Sequence, residues 1–107
     1  MNKSIAIVIP SYNEATNIDV LVKALNETVS NLSYDFKFVF VDDGSSDDTI
    51  AILREKSKLQ SNIFYVELSR NFGHQNALKA GIDLVKNDAD AIISMDGDMQ
   101  HPPKIIP

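Results

Sequence analysis

Ile5-Ala6-Ile7-Val8-Ile9-Pro10-Ser11-Tyr12-Asn13-Glu14 changes character halfway along. An unbroken apolar run gives way, after Pro10, to polar residues. Continuous apolar character over so few residues suits a strand covered on both faces, as in a parallel sheet. Polar residues just past such a strand lie where open parallel sheets bind ligands, beyond the carboxyl ends of the strands.

The same change recurs along the chain. Phe36–Val41, Ile63–Leu68 and Ala91–Met95 are further apolar runs rich in β-branched or aromatic residues, and each predicts a strand. Asp42-Asp43-Gly44-Ser45-Ser46-Asp47 follows the first of these, Ser69-Arg70-Asn71-Phe72-Gly73-His74 the next, and Asp96-Gly97-Asp98-Met99-Gln100-His101 the last. Every predicted strand thus ends in a polar, mostly acidic loop, and the opposite edge of the sheet shows no such enrichment.

Helical spacing fills the intervals. Ile18, Leu21, Val22, Leu25 and Val29 make one apolar stripe on a helix expected from Thr16 to Val29, with Thr16 and Asp19 as a capping box. A second helix is expected after Ser46, capped by its hydroxyl, through Ile50 and Leu53 to Lys58. A third carries Ala77, Leu78, Gly81, Ile82 and Val85 on one face. Strand–helix alternation of this kind predicts an α/β fold with parallel strands and flanking helices.

Composition bounds the function. The 107 residues suffice for one domain, and 44% apolar with 23% charged residues is ordinary for a globular protein. A net charge of −5 argues against a nucleic-acid surface. It leaves room for a nucleotide, because a carboxylate-held divalent metal supplies the positive charge that phosphates need. The absence of cysteine excludes thiolate chemistry and leans toward a reducing compartment. MNKSIAIVIP is too short in apolar length for a signal peptide, and no run approaches the roughly 20 residues of a membrane span. The expected location is cytoplasmic.

Each loop has a plain reading beside a functional one. Asp96 and Asp98, one glycine apart, can reach one hard cation, or can simply form an Asp-Gly turn. Asp42 and Asp43 repel each other, so something must offset their charge: a base edge, a metal or a helix N-terminus. Asp47 and Asp48 read more simply as acids favouring a helix start. Tyr12 can lie against a nucleobase or pack under a loop, and Asn13 can cap rather than bind. Arg70 suits a phosphate or solvent. Asn71 and Gly73 could shape a turn whose backbone amides point at a diphosphate ahead of the third helix, which His74 would start. There is no Walker loop, no GxGxxG fingerprint and no zinc cluster.

Ile7-Val8-Ile9-Pro10-Ser11-Tyr12-Asn13-Glu14, Val41-Asp42-Asp43-Gly44-Ser45-Ser46-Asp47, Arg70-Asn71-Phe72-Gly73 and Met95-Asp96-Gly97-Asp98-Met99-Gln100-His101-Pro102-Pro103 together resemble family 2 glycosyltransferases of the GT-A fold. The likeness is greatest to the branch that uses dolichol phosphate or undecaprenyl phosphate. It implies that residues 1–107 form a single Rossmann-like, nucleotide-sugar-binding half of a catalytic domain. Pro10, Tyr12 and Glu14 would line a uridine or guanosine pocket. Asp42 would contact the base, with Asp43 and Gly44 shaping that loop. Arg70, Asn71 and Gly73 would border the nucleotide and its diphosphate. Asp96 would approach the ribose or metal, while Asp98, the catalytic residue, and Gln100 would hold Mg²⁺ or Mn²⁺.

The resemblance further implies inverting transfer from a UDP-sugar or GDP-mannose to a lipid-phosphate acceptor, at the cytoplasmic face of a membrane. Catalytic domains of the family continue for roughly another domain's worth of chain. The segment is therefore expected to be truncated and inactive alone, with an exposed edge strand that invites pairing with a second copy. Two rivals stand beside this reading. One is a non-catalytic nucleotide-binding or interaction fragment of the same fold. The other is a receiver-like signalling domain, disfavoured because Leu68-Ser69-Arg70 offers no phospho-accepting acid after the third strand.

Overall fold

The computed structural model describes residues 3–95. Its elements are β1 (Ser4–Ser11), α1 (Ile18–Val29), β2 (Asp35–Asp42), α2 (Thr49–Leu59), β3 (Ile63–Glu67), α3 (His74–Val85) and β4 (Ala91–Ser94). The strands form a single sheet in the order β3-β2-β1-β4, and every adjacent pair is parallel. The expected α/β class and all expected elements are present.

Alternation along the strands sorts side chains onto the two faces. Ile5, Ile7 and Ile9 pair in register with Phe36, Phe38 and Phe40. These six share one core with Ile18, Leu21, Val22 and Leu25 of α1 and Leu53 of α2. Val8 and Val41 point the other way, into a second cluster with Ala77, Leu78, Ile82 and Val85 of α3. Both faces are therefore covered, which is why the strands read as continuous apolar runs. Burying each Ile or Phe side chain is worth about 1.5–3 kcal/mol.

Gly81 sets how closely α3 approaches the sheet. A Cβ built there would stand 2.4 Å from Val8 Cγ1 and 2.8 Å from Val41 Cγ2. The helix consequently lies directly against the two central strands whose ends carry the polar loops.

The helix starts differ from expectation. No side-chain cap forms at α1, which begins at Ile18 rather than Thr16. Instead the Glu14 carbonyl accepts the amides of Asn17 and Ile18, and Asn17 Nδ2 donates to Glu14 Oε2 at 2.8 Å. Ser46 does not cap α2, which begins at Thr49. Its amide donates across to Asn13 Oδ1, while Asp47 Oδ1 accepts the Thr49 amide. In both cases a long-range or loop partner outcompetes the local cap. α3 begins at His74, as expected.

Candidate nucleotide site at the carboxyl end of the sheet

The chain leaves β1 toward β2 and β3 on one side, then places β4 on the other. A reversal of this kind opens a crevice beyond the carboxyl ends of the strands. The loops after β1, β2 and β3 meet there and are tied together by named side chains.

At the end of β1, Ser11 is buried and its carbonyl accepts the Asp43 amide at 2.8 Å. Tyr12 is 45% exposed. Asn13 has φ of +52°, a left-handed conformation that Asn tolerates better than most residues. Its amide donates to Ser45 Oγ and its Oδ1 accepts from the Ser46 amide, both at 2.8 Å. The Glu14 amide then donates to Thr49 Oγ1 at 2.9 Å, and the Ala15 amide to Asp47 Oδ2 at 3.2 Å.

After β2, Asp42 and Asp43 are only 1% and 3% exposed. Two buried neighbouring carboxylates need compensation. Asp43 has it: Oδ1 accepts the Phe72 amide at 2.8 Å and Oδ2 the Gly73 amide at 3.1 Å. These amides belong to the two residues just ahead of α3, so the carboxylate also lies near the positive end of a helix dipole. Asp42 is less well served. Its Oδ2 accepts the Ser45 amide at 3.3 Å, and its buried Oδ1 has no hydrogen-bond partner among the described residues. Gly44, at φ +73°, lets this loop touch the next, since a Cβ there would lie 2.4 Å from Arg70 C and Asn71 N.

After β3, the Arg70 guanidinium lies 4.8 Å from the centre of the Phe72 ring, a cation–π contact at the surface. Gly73 has φ of +99°, and Asn71 Oδ1 accepts its amide at 3.1 Å. One expectation is corrected here. The amides of Phe72 and Gly73 are not left pointing at a diphosphate, because Asp43 already takes them.

Asp47 titrates below its ordinary range. Burial opposes its ionisation, but hydrogen bonds from the Thr49 hydroxyl, the Thr49 amide and the Ala15 amide together outweigh that.

The structure thus gathers Pro10, Tyr12, Glu14, Asp42, Asp43, Arg70, Asn71 and Gly73 on loops or strand ends at one rim. The tying roles of Asn13, Ser45, Asp47 and Thr49 escaped the sequence reading. Their partners lie 32 to 35 residues away, and only the Asp47-x-Thr49 spacing hinted at a local bond. Asp96, Asp98 and Gln100 lie outside the described residues. Among the described residues no cluster of three or more His, Cys, Asp or Glu could hold a metal. Both Asp43 oxygens are engaged, and one free Asp42 oxygen is not a cation site.

An open parallel sheet with its polar loops gathered at the carboxyl rim defines the class: a Rossmann-like α/β ligand-binding fold. Residues 6–107 match the profile of Glycosyl transferase family 2, and the chain belongs to that family. A putative glycosyltransferase of Bacillus subtilis, CsbB, is 40% identical over 98 residues, covering 92% of this chain and 29% of that protein. The undecaprenyl-phosphate 4-deoxy-4-formamido-L-arabinose transferase of Proteus mirabilis is 34% identical over 104 residues, covering 96% of this chain and 31% of that protein. The chain therefore spans about three tenths of the length of these relatives.

Among solved structures, the mannosyltransferase PcManGT of Pyrobaculum calidifontis, in complex with GDP-Man and Mn²⁺, superposes with a TM-score of 0.74 at 22% identity. That match covers 92% of this chain and 28% of the other. S. aureus TarS 1-349 in complex with UDP gives 0.71 at 25% identity, with the same coverage of each chain. The fold is the expected GT-A one, and the receiver-like alternative falls. No helix among the described residues is long and apolar enough to cross a membrane.

Proposed function

We propose that this chain is the donor-binding segment of an inverting glycosyltransferase, which moves a sugar from a nucleoside-diphosphate sugar to a polyprenyl phosphate. The observation that carries the proposal is Asp42: a carboxylate at the carboxyl end of a central strand, buried, with Oδ1 unpartnered among the described residues. A buried acceptor without a donor is costly unless something supplies one. The ring N–H of uracil or guanine is such a donor, and the base must displace neighbouring atoms to reach it.

The other residues fit around that contact. Tyr12, exposed on the adjoining loop, would lie against the base, with Pro10 and Glu14 as further walls. Arg70, exposed beside Asn71 and Gly73, would turn from Phe72 to the diphosphate. Asp43 would shape the pocket rather than touch the ligand, since both its oxygens are already used. Asp96, Asp98 and Gln100 would supply the hard oxygen donors that Mg²⁺ or Mn²⁺ prefers. When bound, such an ion would neutralise charge on the departing nucleoside diphosphate. Relatives named for undecaprenyl phosphate, and neighbours holding GDP-Man or UDP, support a lipid-phosphate acceptor and a UDP-sugar or GDP-mannose donor. A lipid-phosphate acceptor would place the whole protein at a membrane, and we propose the cytoplasmic face.

Calorimetric titration with UDP, UDP-sugars and GDP-mannose in Mn²⁺ tests the reading. We expect metal-dependent heat with at least one nucleotide. A folded sample that gives none with any of them would overturn it. Because the chain spans only 29% and 31% of these relatives, we further propose that it binds donor without transferring sugar alone. Sugar transfer by the 107-residue chain would refute that part.

A further inference from the structure

We propose that Thr49 is a positioning residue of the nucleotide site, acting with Asp47 to hold the loop that carries Tyr12 and Glu14. The inference rests on the nucleotide reading above. Thr49 is the first residue of α2 and is fully buried, at 0% exposure. Its hydroxyl does two things at once. Oγ1 accepts the Glu14 amide at 2.9 Å and donates its own proton to Asp47 Oδ1. Asp47 Oδ1 also accepts the Thr49 amide at 3.0 Å, and Oδ2 accepts the Ala15 amide at 3.2 Å. Two consecutive amides of the loop after β1 are thus held from the start of α2.

The consequences run in both directions along that loop. Downstream, the anchored Glu14 accepts the amides of Asn17 and Ile18 with its carbonyl, and so begins α1. Upstream, Asn13 is tied to Ser45 and Ser46, and Ser11 is buried in β1. Tyr12 sits between two fixed neighbours and is itself exposed. A loop held this way spends little ordering entropy when a base arrives. Only a hydroxyl can accept from Glu14 and donate to Asp47 together, so serine can replace threonine and valine cannot.

The test compares wild type, Thr49→Val, Thr49→Ser and Asp47→Ala. Affinity for UDP and GDP is measured calorimetrically at a temperature where circular dichroism shows each variant folded. Amide exchange at Glu14 and Ala15 is followed by NMR without nucleotide. Thr49→Val should bind nucleotide about tenfold more weakly and exchange the Glu14 amide faster, while Val39 in β2 stays protected. Thr49→Ser should restore both. Asp47→Ala, at an exposed position that leaves the core intact, should weaken binding and expose the Ala15 amide. Folded Thr49→Val or Asp47→Ala protein with wild-type affinity would overturn the inference, as would Thr49→Ser binding no better than Thr49→Val. If wild type binds no nucleotide, the donor-site reading fails by itself. The exchange arm then still decides the clamp, and unchanged Glu14 and Ala15 amides would overturn it.

Discussion

Asp43 and Gly73, 30 residues apart, are joined by a 3.1 Å hydrogen bond from the glycine amide to carboxylate Oδ2. The same carboxylate takes the Phe72 amide through Oδ1, so one side chain holds the Arg70–Gly73 loop beside Gly44, just ahead of α3. Changing Asp43 to Asn presents an N–H₂ group to an N–H donor and removes the charge at the helix N-terminus. We expect a loss of about 1–3 kcal/mol, read as a lower urea midpoint with an unchanged slope.

Asp42 should behave in the opposite way. Its Oδ1, without a hydrogen-bond partner among the described residues, contributes nothing to the free fold that an amide could not. Asp42→Asn should therefore leave the thermal midpoint close to wild type while weakening nucleotide binding by about tenfold or more. Calorimetry alongside a melting curve separates the two effects.

Gly81→Ala tests the packing of α3. Alanine is the better helix former by about 1 kcal/mol, so propensity alone predicts stabilisation. A Cβ 2.4 Å from Val8 Cγ1 predicts the reverse, because overpacking costs about 1–3 kcal/mol. We expect net destabilisation in a urea titration. A Val8→Ala change made in the same chain should recover part of it.

Asp47 predicts an acid limb. Its folded pKa lies below the ordinary carboxylate value, through hydrogen bonds from Thr49 and Ala15 that outweigh a burial effect of opposite sign. The folded state thus binds fewer protons than the unfolded one near that value. The stabilisation is present above the unfolded pKa of about 3.9 and is lost as pH falls through the folded pKa. Thermal midpoints followed from about pH 6 to about pH 3 should fall less steeply for Asp47→Asn than for wild type.

The strands were legible because both sheet faces are covered. Ile5, Ile7 and Ile9 meet α1 and α2, Val8 meets α3, and no polar alternation interrupts the run. The rim was legible because each strand ended in polar residues. The helix starts were not. Thr16 and Ser46 look like caps in isolation, yet Glu14 supplies the bonds at the start of α1 from three residues away, and Asn13 and Asp47 join the loops after β1 and β2 across the fold. The direction of the Phe72 and Gly73 amides was equally hidden, because nothing local announces that Asp43 will face them.

Apolar patterning thus determined the order of elements and the parallel α/β class, since strands buried on two faces read as continuous apolar runs and helices as spaced stripes, and the polar residues that end each strand marked the edge of the sheet where chemistry gathers. Which carboxylate has both oxygens engaged, and which keeps one without a partner among the described residues, was decided only when β1, β2 and β3 came side by side. Asp42 and Asp43 are identical neighbours in sequence, yet Asp42 closes β2 and faces Ser45, while Asp43, one residue past the strand, meets the amides of Phe72 and Gly73 just ahead of α3.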